Sequence, residues 1–275
     1  MSIVHQTAPL LDTASRPRRR SLEVLTAPLD DIARDSASLC VCPPGRFELA
    51  GQSHVLPRYL FLGPQGGAEP LRVGIFAGIH GDEPAGSFAL LRFVRLLETN
   101  PEIARGYSLF LYPVCNPTGF EDNTRQNRNG QDLNREFWRS SLESEVRLLQ
   151  SELWAHAFHG IISLHTDDTS DGLYGYAYGA VLTRHLLAPA LAAAAEFLPV
   201  NQKQLIDGFP AREGIIREGF EGVLRPPPGI RPRPFEVILE TPHHAPQYLQ
   251  EAAFVVALRT ILDEYRQFIA YSQYL

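Results

Sequence analysis

Short apolar segments alternate with longer segments of helical periodicity along most of the chain. The apolar segments have the length and composition of buried strands: Leu71–Ala77, Tyr107–Val114, Gly160–Leu164 and Phe235–Leu239. The segments between and after them carry apolar residues at helical spacing: Ser87–Leu97, Glu143–His156, Leu186–Phe197 and Gln247–Phe268. Alternating strands and helices are typical of a sheet covered on both faces, so we predict a three-layer α/β/α domain.

The part of the chain before Leu71 has a different pattern. Residues 1–20 are predicted to form a flexible arm. Ser21–Ser38 has helical spacing, and Arg46–Leu49 and His54–Leu62 have the composition of two short strands separated by a turn. Because no internal repeat or linker divides the rest of the chain, residues 21–275 are predicted to form a single domain.

Polar residues with useful chemistry follow the apolar strands. His80, Asn116, His165 and Glu240 each come just after one of these segments. In open α/β sheets, ligands bind at the carboxyl ends of the strands. The four positions therefore predict one shared site at that edge of the sheet.

Charge and composition narrow the classes of function. The chain has 275 residues, with 25 Lys and Arg against 31 Asp and Glu, which gives a net charge of -6. This balance disfavours nucleic-acid or membrane partners, because both need a basic face. No apolar run approaches the ~20 residues of a membrane span, and no signal peptide is recognisable. We expect a cytoplasmic protein; its oligomeric state is not indicated.

A metal site is the strongest candidate chemistry. His80 and Glu83 lie three residues apart, and imidazole and carboxylate are both zinc donors. His165 follows 82 residues after Glu83, since 165 − 83 = 82. Two close ligands and one distant ligand are typical of a catalytic zinc site with an open position for water. Taken alone, each residue is also compatible with an ordinary polar loop, a helix cap or an isolated histidine.

Two further features suit hydrolysis. Glu240 ends a buried strand, where partial desolvation raises the pKa of a carboxyl group and favours a general base. The segment from Asn116 to Phe137 contains Arg125, Arg128 and Arg135, and arginine binds carboxylates in bidentate fashion. A solvated polar loop would have the same composition, so this segment is suggestive only in combination with the other motifs.

Five motifs in order resemble the zinc metallocarboxypeptidase family, including its bacterial peptidoglycan-peptide relatives and its aspartoacylase and succinylglutamate desuccinylase-like branch. The similarity extends over about residues 70–245, and the motifs are HGDE at His80–Glu83, NPTGF at Asn116–Phe120, TRQNRNGQDLNREF at Thr124–Phe137, SLHT at Ser163–Thr166 and ILETP at Ile238–Pro242. The resemblance implies an α/β/α sandwich around a mixed, mostly parallel twisted sheet of about eight strands.

The resemblance also implies roles for individual residues. It implies that His80, Glu83 and His165 bind one zinc ion and that Glu240 is the general base and acid. It implies that Arg125 polarises the scissile carbonyl and stabilises the oxyanion. The candidate substrate-binding residues are Asn134 and Arg135, as a clamp for a terminal carboxylate, with Arg128, Tyr174 and Tyr176.

The chain departs from the family pattern in one region. A substrate-capping Tyr often precedes the catalytic Glu by some twenty residues, but residues 206–234 contain no Tyr. They contain five arginines instead, which would suit an acidic or N-acylated substrate: Arg212, Arg217, Arg225, Arg231 and Arg233.

Three functions remain open from the sequence. The first is a zinc carboxypeptidase acting on small peptides. The second is an N-acyl amino acid amidohydrolase of the aspartoacylase or succinylglutamate desuccinylase type. The third, disfavoured by the intact ligand set and Glu240, is a catalytically silent binding protein. Another divalent metal in place of zinc is also compatible with these residues.

Overall fold

The computed structural model describes residues 19–49, 51–67 and 69–272. The α-helices are α1 (Glu23–Asp35), α2 (Pro84–Thr99), α3 (Pro117–Asp122), α4 (Ser144–His156), α5 (Thr183–Ala194) and α6 (Gln247–Ser272). The strands before α4 are β1 (Leu39–Val41), β2 (Gly45–Leu49), β3 (Gln52–Leu56), β4 (Tyr59–Leu62), β5 (Leu71–Ala77) and β6 (Tyr107–Tyr112). The later strands are β7 (Gly160–Asp167), β8 (Tyr174–Gly179), β9 (Leu205–Ile206), β10 (Phe209–Arg212), β11 (Ile215–Ile216) and β12 (Phe235–Pro242).

A ten-stranded mixed sheet forms the centre of the molecule, in the order β1-β4-β6-β5-β7-β12-β8-β11-β10-β9. The four central strands β6, β5, β7 and β12 run parallel, whereas β8 pairs with β12 in the antiparallel direction. The central strands are buried along nearly their whole length, as expected for parallel strands covered on both faces.

Helices cover both faces of this sheet. On one face, apolar residues of α1, α2, α5 and α6 pack with the strands into the larger core. On the other face, Val146, Leu149 and Leu153 of α4 pack with residues such as Phe76 and Tyr112 into a second core. The predicted three-layer α/β/α sandwich with a parallel central sheet is therefore confirmed. The strand number exceeds the eight expected, because the region after α5 adds the short strands β9, β10 and β11.

The predicted elements lie close to the observed ones, with instructive differences. The strand expected over His54–Leu62 is two strands, interrupted at Pro57 and Arg58; β3 pairs with β2 and β4 joins the main sheet. The strands expected to end at Leu164 and Leu239 continue, so that His165 and Glu240 lie inside β7 and β12. Among the described residues, no helix combines the length and apolarity needed to cross a bilayer.

Most of the predicted N-terminal arm, residues 1–18, lies outside the described residues. The two arm residues that are described contact α3 and the loop after β5. Arg19 pairs with Asp122 at 3.0 Å, and Arg20 donates a hydrogen bond to the carbonyl oxygen of Gly81 at 3.0 Å. The Arg20 guanidinium also lies over the ring of Phe120.

Candidate metal and substrate site

Three buried side chains from two parts of the sheet edge converge on one point. His80 lies in the loop after β5, Glu83 directly precedes α2, and His165 lies in β7. Their candidate ligand atoms all lie within 4.8 Å of one another, and each side chain is at most 5% exposed. The structure therefore brings together the three residues that the sequence predicts as metal ligands.

Glu83 occupies the position before the first turn of α2 but does not cap the helix with its side chain. Its Oε1 lies 2.6 Å from His80 Nδ1, and its Oε2 lies 3.1 Å from His165 Nδ1. Oε2 also accepts a hydrogen bond from the backbone N–H of Thr166 at 3.0 Å. The carboxylate is thus oriented toward both imidazoles, which argues against the interpretation of Glu83 as a simple helix cap.

The outer nitrogens of both imidazoles have hydrogen-bonding partners. Nε2 of His80 lies 3.1 Å from Asp132 Oδ1, and Nε2 of His165 lies 2.9 Å from Ser163 Oγ. Such partners fix the orientation of a ligating histidine and leave its other nitrogen for the metal. Nδ1 is therefore the metal-facing atom on both rings. A set of two histidines and one glutamate with an open position is a known catalytic zinc arrangement, so these residues fit the metal.

Asp132 and Ser163 were not identified as functional from the sequence. Ser163 orients His165 because it lies two residues earlier on the same face of β7. Asp132 belongs to the Asp-Leu-Asn-Arg motif. Its position seven residues after Arg125 was the one feature of the sequence that could have indicated their pairing. Its Oδ2 accepts hydrogen bonds from Arg125 Nε and Nη2 at 3.1 and 3.0 Å.

Two of the candidate ligands, His80 and Glu83, form an ion pair, whereas the third, His165, is neutral. Burial acts to lower the pKa of His80, but the Glu83 charge and the Asp132 hydrogen bond outweigh it and raise that pKa to about 9. Burial would raise the pKa of Glu83, but the charge of His80 and the hydrogen bonds from both imidazoles keep it well below its usual range. Burial lowers the pKa of His165, which keeps that ring in the neutral form that binds metals.

Glu240 lies beside the metal ligands through strand pairing. In the parallel pair β7 and β12, Glu240 is the register partner of His165, so both side chains project from the same face of the sheet. Burial raises the pKa of Glu240 well above its usual range, and the charges of Glu83, Asp167 and Asp207 add to this effect. A cation on the three ligands would draw this pKa down again.

These residues line a cavity of about 390 Å³. Arg125 enters it from the loop after α3, with its Nη1 3.5 Å from Glu83 Oε1. Asn134 and Arg135 line it from the short helical turn Leu133–Arg135. The Asn134 side-chain oxygen accepts a hydrogen bond from the backbone of Leu224 at 2.8 Å, and the Arg135 guanidinium lies over the Phe220 ring.

Tyr174 and Tyr176 also line the cavity, from the strand β8 next to Glu240. Their hydroxyl groups are already hydrogen bonded: Tyr174 donates to Asp167 at 2.9 Å, and Tyr176 donates to Asp207 at 2.5 Å. Arg128 does not line the cavity. Its guanidinium is held by Asp122 and Glu121, which places it on the outer side of the arginine-rich loop.

The arginine-rich segment does not supply the cavity with positive charge. None of the five arginines of residues 206–234, all described by the structure, lines it. The charged residue that this segment contributes is Asp207, at the turn between β9 and β10, where it adjoins the acidic side formed with Asp167 and Asp168. The expectation of an arginine-rich pocket for an acidic substrate is therefore wrong. The cavity instead has a cationic side, formed by Arg125 and Arg135, and an anionic side, formed by the three aspartates.

Residues 70–204 match the family model of the succinylglutamate desuccinylase/aspartoacylase catalytic domain. No functionally curated protein matches the chain. The matched segment contains the three candidate metal ligands together with Arg125 and Asp132 but ends before Glu240.

Several solved structures share the fold. A candidate metallopeptidase from Shewanella amazonensis SB2B aligns with a TM-score of 0.70 and 24% identity, over 88% of this chain and 92% of that chain. A metallo-carboxypeptidase from Pseudomonas aeruginosa, in complex with (2-guanidinoethylmercapto)succinic acid, aligns with a TM-score of 0.64 and 18% identity, over 90% and 70%. An aspartoacylase family protein from Mesorhizobium loti aligns with a TM-score of 0.55 and 16% identity, over 82% and 68%.

Proposed function

We propose that this chain, whose residues 70–204 belong to the succinylglutamate desuccinylase/aspartoacylase catalytic-domain family, is a zinc-dependent hydrolase that cleaves an amide bond next to a free carboxylate. The observation that supports this most directly is the shared cavity. His80, Glu83 and His165 converge at one wall, and Glu240 and Arg125 face the same space.

Each residue has a distinct task in this reaction. A zinc ion on the three ligands would act as a Lewis acid toward the scissile carbonyl and lower the pKa of a water molecule. Glu240 accepts the proton of the attacking water on a carboxylate oxygen and then donates it to the nitrogen of the leaving amine. Arg125 stabilises the negative charge that develops on the carbonyl oxygen. Asp132 holds Arg125 and His80 in position.

The substrate is bound through its carboxylate. Arg135 and the free amide nitrogen of Asn134 are suited to a terminal carboxylate, because an arginine fork binds both of its oxygens. The stacking of Arg135 on Phe220 restrains the guanidinium before the substrate arrives, which lowers the entropy cost of binding.

The charge distribution favours a peptide over an N-acylated acidic amino acid. Asp167, Asp168 and Asp207 would attract a free amino group or a basic side chain and repel a second carboxylate. The ligand of the Pseudomonas aeruginosa protein also combines a guanidino group with a succinate. We therefore infer a metallocarboxypeptidase acting on small peptides. The deacylase remains the second candidate, because the matched family model has that description.

The decisive variant is Glu240→Gln, which keeps the shape of the side chain but removes its basicity. We expect kcat to fall about 10²- to 10⁴-fold while zinc still binds. Zinc content measured by atomic absorption should stay at the wild-type level. Full activity in this variant would contradict the role of Glu240.

A substrate panel distinguishes the two candidates. The zinc-loaded protein is incubated with short peptides that have neutral, basic or acidic C-terminal residues, and with N-acetylaspartate and N-succinylglutamate. Release of C-terminal residues supports the peptidase, with basic or amino-bearing peptides preferred. Turnover of the acyl amino acids alone would reject the peptidase in favour of the deacylase.

A further inference from the structure

A second cavity of about 560 Å³ adjoins the proposed active site, and Tyr178 lines both cavities. Four arginines line it: Arg184 of α5, and Arg217, Arg225 and Arg233. Three of them belong to the arginine-rich segment that the sequence singles out and that the proposed reaction does not use. Their convergence therefore calls for a separate explanation.

The positive charge of this cavity is only partly balanced by the protein. Arg225 pairs with Glu236 at 2.7 Å and lies over the ring of Tyr178. Among the described residues, Arg225 is the one of the four arginines that forms an ion pair with a carboxylate. Glu218 is the acidic residue that lines the cavity, and it is exposed, as are Arg184, Arg217 and Arg233. Because like charges brought together repel, the remaining guanidinium groups favour binding of an external anion.

The start of α5 adds to this potential. Ala180, Val181 and Thr183, at the N-terminal end of that helix, line the same cavity. The helix has no acidic residue in its first turn and no side-chain cap. The N-terminal end of α5, which carries the partial positive charge of a helix start, therefore borders this cavity, although the N–H groups of Thr183 and His185 already donate to backbone carbonyl oxygens.

We propose that this second cavity binds a small multivalent anion that carries two or more phosphate or carboxylate groups. Arginine forks recognise both groups by bidentate hydrogen bonds. The cavity volume lies in the range of small-molecule sites, and the cavity is open to solvent, so a ligand can enter it freely. The argument rests on residues outside the metal ligands and the reacting groups, so it is independent of the proposed amide hydrolysis.

Isothermal titration calorimetry of the zinc-loaded protein tests the site. Fructose 1,6-bisphosphate is the phosphate probe, and propane-1,2,3-tricarboxylate is the carboxylate probe. We expect at least one probe to bind, and the tighter probe identifies the charged group that the site prefers. The double variant Arg217→Gln/Arg233→Gln should weaken that binding at least tenfold.

The matched control is Arg212→Gln/Arg231→Gln, which removes the same charge from the same segment at positions that do not line this cavity. It should change the affinity less than twofold. The single variant Arg184→Gln, at an exposed position on α5, provides a second probe of the site if the double variant fails to fold.

Three outcomes would overturn the proposal. They are absence of binding of both probes at millimolar concentration, wild-type affinity in the Arg217→Gln/Arg233→Gln variant, and equal loss in the control variant. Zinc content and peptide hydrolysis are measured on each protein. Loss of anion binding with intact zinc and activity therefore concerns this cavity alone, and failure of the proposed hydrolysis would leave the calorimetric result unaffected.

Discussion

Asp132 connects the metal ligands to the residue proposed to stabilise the oxyanion. One carboxylate oxygen faces His80 Nε2, and the other accepts two hydrogen bonds from Arg125. Burial would raise the pKa of Asp132, but the hydrogen bond and charge of His80 and the charge of Arg125 keep it well below its usual range. Asp132 therefore remains an anion, and it couples metal binding to the position of Arg125.

We predict that Asp132→Asn weakens zinc binding about 10- to 100-fold, because His80 loses its charged partner. Zinc affinity is measured by competition with a chromophoric chelator. Asp122→Asn is the matched control, since Asp122 pairs with Arg128 and Arg19 away from the cavity. Equal zinc affinities in the wild type and Asp132→Asn would show that Asp132 does not support His80.

Among individual residues, the sequence predicted those whose type is restricted by the chemistry of metal binding. The spacing of His80, Glu83 and His165 identified a set that the structure brings together. Ser163 was missed because a serine on a buried strand carries no distinctive signal. The orientation of the five arginines in residues 206–234 was also inaccessible, because it depends on how an irregular segment folds over the sheet.

At the level of secondary-structure elements, one close contact concerns the candidate metal site: the loop that carries His80 and Glu83 packs directly against α3. A Cβ atom at Gly81 would lie 1.9 Å from the backbone carbon of Gly119. The absence of a side chain at Gly81 therefore lets this loop approach the helix backbone. Arg20, which lies over Phe120 of α3, donates a hydrogen bond to the Gly81 carbonyl oxygen.

We predict that Gly81→Ala lowers the free energy of unfolding by about 1–3 kcal/mol, because the clash forces the loop and α3 apart. Zinc affinity should fall as well, since His80 and Glu83 flank the displaced residue. The measurements are urea unfolding and chelator competition. Gly130→Ala is a useful control: Gly130 has φ +75° with open space around it, so this variant should cost about 1–2 kcal/mol without affecting zinc. Normal zinc affinity in Gly81→Ala would refute the role of this contact.

The predicted elements were most accurate where the hydrophobic pattern is strong. Leu71–Ala77 was predicted with its observed bounds, because it is a continuous apolar strand at the centre of the sheet. The strands β9 and β11 have two residues each and no measurable periodicity, so their pairing depends on tertiary contacts. The short helix α3 has too few residues to show a helical pattern in the sequence. It begins at Asn116, whose side-chain oxygen caps the helix by accepting a hydrogen bond from the backbone N–H of Gly119.

At the level of the whole molecule, the candidate metal ligands belong to three elements: the loop after β5, the start of α2 and the central strand β7. An ion bound by these residues stabilises the folded state in proportion to its binding free energy, because the unfolded chain lacks the site.

We predict that chelation of zinc lowers the Tm and that added zinc restores it. At a zinc concentration about 100-fold above Kd, the stabilisation is about 2.7 kcal/mol. Differential scanning fluorimetry with and without EDTA measures the shift. The variant His165→Ala should show little response to either treatment. A Tm that EDTA leaves unchanged in zinc-loaded wild type would argue against a metal at these residues.

The net charge of -6 is an average over the whole chain, whereas the structure separates the charges in space. Aspartates line one side of the active-site cavity, while four arginines line the neighbouring cavity across Tyr178. Composition alone does not reveal two adjacent cavities of different charge.

The pairing of His165 with Glu240 limits how this protein can change its length during evolution. Adding or removing one residue within β7 or β12 would turn one of the two side chains to the opposite face of the sheet. Insertions and deletions should therefore be excluded from these strands and tolerated in the irregular segment between α5 and β12. That segment supplies Asp207 and Phe220 to the cavity. Substrate preference can thus diversify through loop length while the reacting groups keep their alignment.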